Sequence, residues 1–116
     1  QPEQGPVFVT IEYLIDPARR GKFVQMMGQI EDIRRRDGAV QWELLQDLAN
    51  PARYIETFVV ESWLEHLRQH ERVTLADREV EKQVRQYHLG PNPPAVTHLV
   101  RSSSTDIPKE VNHGHH

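Results

Sequence analysis

The chain contains no cysteine among its 116 residues. This excludes a disulfide framework, a thiolate metal site and a cysteine nucleophile. It has no apolar run near the roughly 20 residues that a membrane span needs, and no signal-peptide pattern at its start. Aromatic residues make up only 7%. A cation excess is also missing: the formal net charge is −3 and the sequence pI is near 6.2. A phosphate-binding surface needs clustered cations. The one dense cluster is Arg34-Arg35-Arg36, so no nucleic-acid partner is expected. Glycine-rich phosphate loops, a Gly-x-Ser-x-Gly elbow and carboxylate clusters with metal spacing are absent as well.

What is present is ordinary globular patterning. Hydrophobic residues make up 37% and charged residues 27%. A chain of this length suits one domain and one core. Residues 6–101 are expected to form it, with an N-terminal extension at 1–5 and a disordered tail at 102–116. The chain begins Gln-Pro without an initiator methionine, and we read it as a processed protein or a fragment of a longer one.

Val7 to Ile15 is rich in β-branched and aromatic residues and reads as a strand. Val7, Val9, Ile11 and Tyr13 point one way; Phe8, Thr10, Glu12 and Leu14 point the other. Asp16-Pro17 starts a helix, with Asp16 as cap and Pro17 in the first turn. Phe23, Met26, Met27, Ile30 and Ile33 make its apolar stripe. The three arginines read as a solvated helix end that suits the negative end of the dipole, and Gly38 closes the helix. Strands follow at 40–45 and 54–61, joined by a short connection with turn chemistry at Asn50-Pro51, so they should pair as a hairpin. Ser62-x-x-Glu65 and Thr74-x-x-Asp77 are capping patterns that start two helical segments, with a break near Val73. Ala76, Val80, Val84 and Tyr87 or His88 should be buried on the second. Gly90 to Pro94 stops the helix, and residues 95–100 read as a last strand.

The order β-α-β-β-α-β is the ferredoxin-like plan: α+β, one four-stranded antiparallel sheet, both helices on one face. The strands are apolar on both sides, so the other face stays bare and oily. A homodimer of face-to-face sheets, a dimeric α/β barrel, is the expected solution.

His66 and His70 have the i, i+4 spacing of helical zinc ligands. The run lacks the glutamate of His-Glu-x-x-His and no third ligand is evident, so no metal and no cofactor is expected. His113, His115 and His116 receive no role. Trp63 and Trp42 read as core anchors. Glu12 and Glu56 lie within strands, and a buried carboxylate needs a partner. Facing a cavity they would contact a ligand. Facing a dimer partner, the favoured reading, they would pair with arginines there.

Several segments carry a resemblance. They are Val9 to Tyr13 with Ile15-Asp16-Pro17, Ile33 to Ala39, Tyr54 to Trp63, and above all Glu65-His66-Leu67-Arg68-Gln69-His70-Glu71-Arg72-Val73-Thr74. Together they resemble the soluble C-terminal domain of bacterial major facilitator superfamily transporters of the transmembrane secretion effector group, related to enterobactin exporters. The resemblance spans about Pro6 to Val100. It implies a domain that follows about a dozen membrane helices at the cytoplasmic face, touches the membrane only through them, and dimerises or senses a ligand without being an enzyme.

The domain also resembles the superfamily of the antibiotic biosynthesis monooxygenases, which oxidise aromatic compounds without metal or flavin. Relatives that degrade haem use an Asn, a Trp and a His. Trp63 matches that tryptophan, His70 matches the histidine at a different spacing, and Glu12 stands near the asparagine position. The resemblance therefore implies catalytic candidates Trp63 and His70 as part of an incomplete set. It also implies a pocket of Tyr13, Glu12, Trp63, His66 and His70 for an aromatic or siderophore-like small molecule. A stand-alone cofactor-free monooxygenase is the alternative function.

Overall fold

The computed structural model describes residues 5–71 and 73–102, without the side chains of residues 69 and 70. The expected tail from residue 103 and its histidines lie outside the described residues, as do residues 1–4. Strand β1 (Val7–Leu14) leads through a short 3₁₀ turn (Pro17–Arg19) into helix α1 (Arg20–Arg36). The hairpin strands β2 (Gln41–Gln46) and β3 (Arg53–Val60) follow, then helices α2 (Trp63–Glu71) and α3 (Leu75–Arg85), and strand β4 (Ala95–Val100). The sheet order is β2-β3-β1-β4, antiparallel throughout. This is the ferredoxin-like fold, with the helices on one face.

Local chemistry explains the boundaries. The Asp16 carboxylate accepts from the Ala18 N–H at 3.0 Å, satisfying a donor that the first turn cannot. Because that first turn is 3₁₀, the α-helix proper begins only at Arg20. Gly38 follows α1 at φ 114°, a conformation that costs glycine little and lets the chain reverse toward β2. The two capping patterns both hold. Ser62 Oγ accepts from Glu65 N at 3.0 Å, and Thr74 and Asp77 form a reciprocal box.

Alternation along β1 and β3 separates the faces. Val7, Val9, Ile11 and Tyr13 of β1, with Tyr54, Glu56, Phe58 and Val60 of β3, are buried under the helices. They meet Phe23, Met27, Ile30 and Ile33 of α1 and Val84 of α3. Met26 is only partly buried, and Ala76 is exposed where burial was expected. Asp77 takes the inward place beside it, because Arg36 of α1 reaches across with an ion pair of 2.5 Å. His88 is a clip rather than a core residue: its Nδ1 accepts from Leu14 N at 3.0 Å, and Leu89 N donates to Leu14 O at 2.7 Å.

Among the described residues nothing covers the opposite face. Phe8, Thr10, Ile55, Thr57 and Val59 are partly exposed there, and Leu45 and Leu99 are about half exposed. Every residue of β4 is exposed, on both faces of the sheet.

Candidate functional site

The site is assembled from the sheet's helix-covered face. In β1 and β3, Ile11 lies opposite Glu56 and Tyr13 opposite Tyr54. Tyr13 is thus a diagonal neighbour of Glu56, within reach of a long side chain. Trp42 of β2 pairs with Phe58 and is diagonal to Glu56 from the other side. From above, α1 lowers Arg34, four residues after buried Ile30 and seven after buried Met27, onto the same carboxylate.

The result is a saturated polar cluster around a fully buried Glu56. Oε1 accepts from Tyr13 Oη at 3.0 Å and Arg34 Nη2 at 3.4 Å. Oε2 accepts from Arg34 Nε at 2.8 Å and Trp42 Nε1 at 2.9 Å. Arg34 Nη1 also donates to Glu81 of α3 at 3.1 Å, and its guanidinium lies 4.9 Å over the Phe58 ring. A two-point Arg–carboxylate contact with further donors meets the condition under which a buried ion pair is tolerated.

The electrostatics follow from this packing. Burial and then the Glu56 carboxylate push the Tyr13 phenol far above the ordinary tyrosine range, so it is a neutral donor at any physiological pH. Burial works against the Arg34 cation, but Glu56 outweighs it and raises the guanidinium above its ordinary value.

Beside this cluster opens a cavity of about 460 Å³. Its floor is Val9, Ile11 and Tyr13 of β1, Phe58 of β3, and Val96 and His98 of β4. Ile30 and Arg34 of α1, His66 of α2, and Glu81, Val84 and Arg85 of α3 form the roof, with Pro93 and Pro94 at one side. The volume suits a small molecule, and a mostly apolar wall with a few convergent polar groups is what such sites need. At one edge three rings meet: His66–His98 centroids are 4.9 Å apart, Trp63–His98 5.3 Å and Trp63–His66 5.4 Å.

The structure brings together some of the sequence candidates and separates others. Tyr13 and His66 both line the cavity, and Trp63 backs His66. Glu12 does not face the cavity. It alternates to the open side of the sheet, where Arg53 of its own chain pairs with it. Glu12 and Glu56 therefore point to opposite sides, and Glu56 pairs with an arginine of its own chain, not a partner's. The His70 side chain lies outside the described residues. Arg34 corrects the reading of the arginine run: Arg35 and Arg36 are surface residues, but Arg34 is drawn inward. The signal was its place on the Met27–Ile30 spacing. Among the described residues no group of three or more potential ligands could hold a metal ion.

Residues 1–106 match the transmembrane secretion effector family. The chain belongs to that family. No curated protein matches it. Among solved structures, this family member is similar to a protein described as an antibiotic biosynthesis monooxygenase from Bordetella bronchiseptica, with TM-score 0.70 and 22% identity over 86% of this chain and 100% of that one. A second such protein, from Caulobacter crescentus, matches with TM-score 0.70 and 15% identity over 86% and 92%. A variant of SnoaB, a cofactor-independent oxygenase from Streptomyces nogalater, matches with TM-score 0.62 and 14% identity over 85% and 93%. At these identities the likeness establishes the fold of this secretion effector chain. No helix among its described residues is long and apolar enough to cross a membrane.

Proposed function

We propose that the chain is a non-catalytic, ligand-binding module of a secretion effector, working as a homodimer at the cytoplasmic face of a major facilitator superfamily efflux permease. The family match supports the transport context. The observation that carries the ligand-binding reading is a cavity opening beside an internally satisfied polar cluster. Glu56 spends both oxygens on Tyr13, Arg34 and Trp42, and Tyr13 is locked as a neutral donor. That cluster orients a guest, and its engaged carboxylate and neutral phenol supply neither base nor nucleophile.

The homodimer reading rests on the uncovered sheet face. Phe8, Val59 and Leu99 line a shallow apolar groove there with Thr10 and Thr57. A second copy laid sheet to sheet would bury the same patch twice.

A second reading has its own support: the imidazoles of His66 and His98 face the cavity, and similar folds include a cofactor-independent oxygenase. In such chemistry a base deprotonates an aromatic substrate, whose anion then reduces oxygen. One experiment separates the two. The full chain is mixed with a panel of hydroxylated aromatics while melting temperature and oxygen consumption are followed. Concentration-dependent stabilisation without oxygen uptake is expected. Oxygen uptake that disappears in His66→Ala would replace the binding reading with the enzymatic one. A melting temperature indifferent to the whole panel would remove both.

A further inference from the structure

The two arginines on the cavity wall differ in what already holds them. Arg34 is neutralised by Glu56 at 2.8 Å and Glu81 at 3.1 Å, and it is needed where it is. Arg85, in the last turn of α3, also lines the cavity. Among the described residues it has no ion pair, and its guanidinium makes no hydrogen bond. Glu81, one helical turn earlier on the same wall, is already engaged by Arg34. Much of the remaining wall is apolar, with Val84, Ile30, Val96, Pro93 and Pro94 among its lining residues. An uncommitted guanidinium at the rim of an apolar cavity is a recognition element for an anion, because its planar fork matches a carboxylate.

We infer that the cavity selects ligands with an apolar, ring-sized body and one anionic group, and that Arg85 is the residue that reads the anion. This rests on the ligand-binding reading above and adds the specificity to it. The body lies on Val9, Ile11 and Phe58, and the anion meets Arg85 at the rim, where it keeps partial contact with water. This geometry avoids the cost of burying a charge without a partner. A hydrogen bond to a charged group contributes enough for a preference of about tenfold over a neutral isostere.

The test compares 2-naphthoate with 2-naphthamide by isothermal titration calorimetry on the full chain, its Arg85→Gln variant and its Arg85→Lys variant. The expected result is a carboxylate-to-amide affinity ratio of about ten or more in the native chain, a ratio near one in Arg85→Gln, and partial recovery in Arg85→Lys. In the native protein the Arg85 Nε–H resonance should move on adding naphthoate and stay in place with the amide. That measurement needs no variant, so it decides the matter even if Arg85→Gln fails to fold. Equal affinities in the native chain, an advantage that survives Arg85→Gln, or a resonance unmoved by bound naphthoate would overturn the role of Arg85 and leave the cavity as a binding site. Binding of neither probe would overturn the cavity reading itself, and this inference with it.

Discussion

Glu56 is the residue on which most of the interior polar chemistry turns. Removing one member of a buried pair leaves the other charge uncompensated, which typically costs about 3–5 kcal/mol. Glu56→Ala is therefore expected to lose a large share of a stability that for most domains totals about 5–15 kcal/mol. Urea denaturation of the variant checks this, and a loss under 1 kcal/mol would contradict the cluster. Tyr13 carries a pH signature. Its phenol is raised in the folded state, so the folded chain keeps a proton that the unfolded chain releases above the ordinary value of 10.0. The contribution is complete below that pH and declines as pH rises above it. Stability measured between pH 8 and 11 should fall more steeply in the native chain than in Tyr13→Phe. Parallel slopes would mean that Tyr13 ionises freely. Part of this was readable beforehand. Alternation places Glu56 between Tyr54 and Phe58, so its burial follows from parity. Its partner does not, because a charged residue ending a helix has two open fates, solvent or interior, and only packing chooses.

At the scale of elements, the caps set the helix boundaries and carry predictions of their own. Thr74 Oγ1 accepts from Asp77 N at 3.0 Å, and losing such a cap typically costs about 1 kcal/mol. Thr74→Ala should be destabilised by that order in chemical denaturation and remain folded. Asp77 is held below its ordinary value of 3.8, first by the hydrogen bond from Arg36 and then by the Thr74 backbone, against the effect of burial. A depressed carboxylate stabilises above its unfolded pKa and loses that contribution as pH falls through the folded one. Asp77→Asn should therefore be less stable than the native chain at pH 7, and the gap should narrow below pH 4 in an acid series of urea melts. A gap that stays constant would show that the Arg36 contact contributes nothing. These caps were legible because they are local: donor and acceptor lie three residues apart. The Arg36–Asp77 link was not, since 41 residues separate its ends.

For the whole molecule, the decisive feature is a sheet covered on one side. Helices α1 and α3 pack together over β1 and β3, while β4 lies at an edge with every residue exposed. Under the proposed dimer, Val59→Arg, on the open face, should halve the mass seen by sedimentation velocity and leave the monomer's secondary structure intact. A native chain that already sediments as a monomer at high concentration would refute the sheet-to-sheet arrangement. The ferredoxin-like order was legible because each strand and helix announced itself through period and punctuation, and six elements in that order have few right-handed, uncrossed solutions.

The amino-acid pattern by itself determined the elements, their order, the two faces of β1 and β3 and the bare side of the sheet. These depend on neighbours within one or two turns of chain, where periodicity and capping act. Tertiary structure alone decided that Glu12 pairs with Arg53 and Glu56 with Arg34, that Arg34 leaves the surface, and that Trp42 becomes a donor to a buried carboxylate. Each of those outcomes is a contact between groups far apart in sequence. Their worth depends on the solvent removed when β2, β3, β1 and α1 close on one another, a quantity that no local window of residues contains.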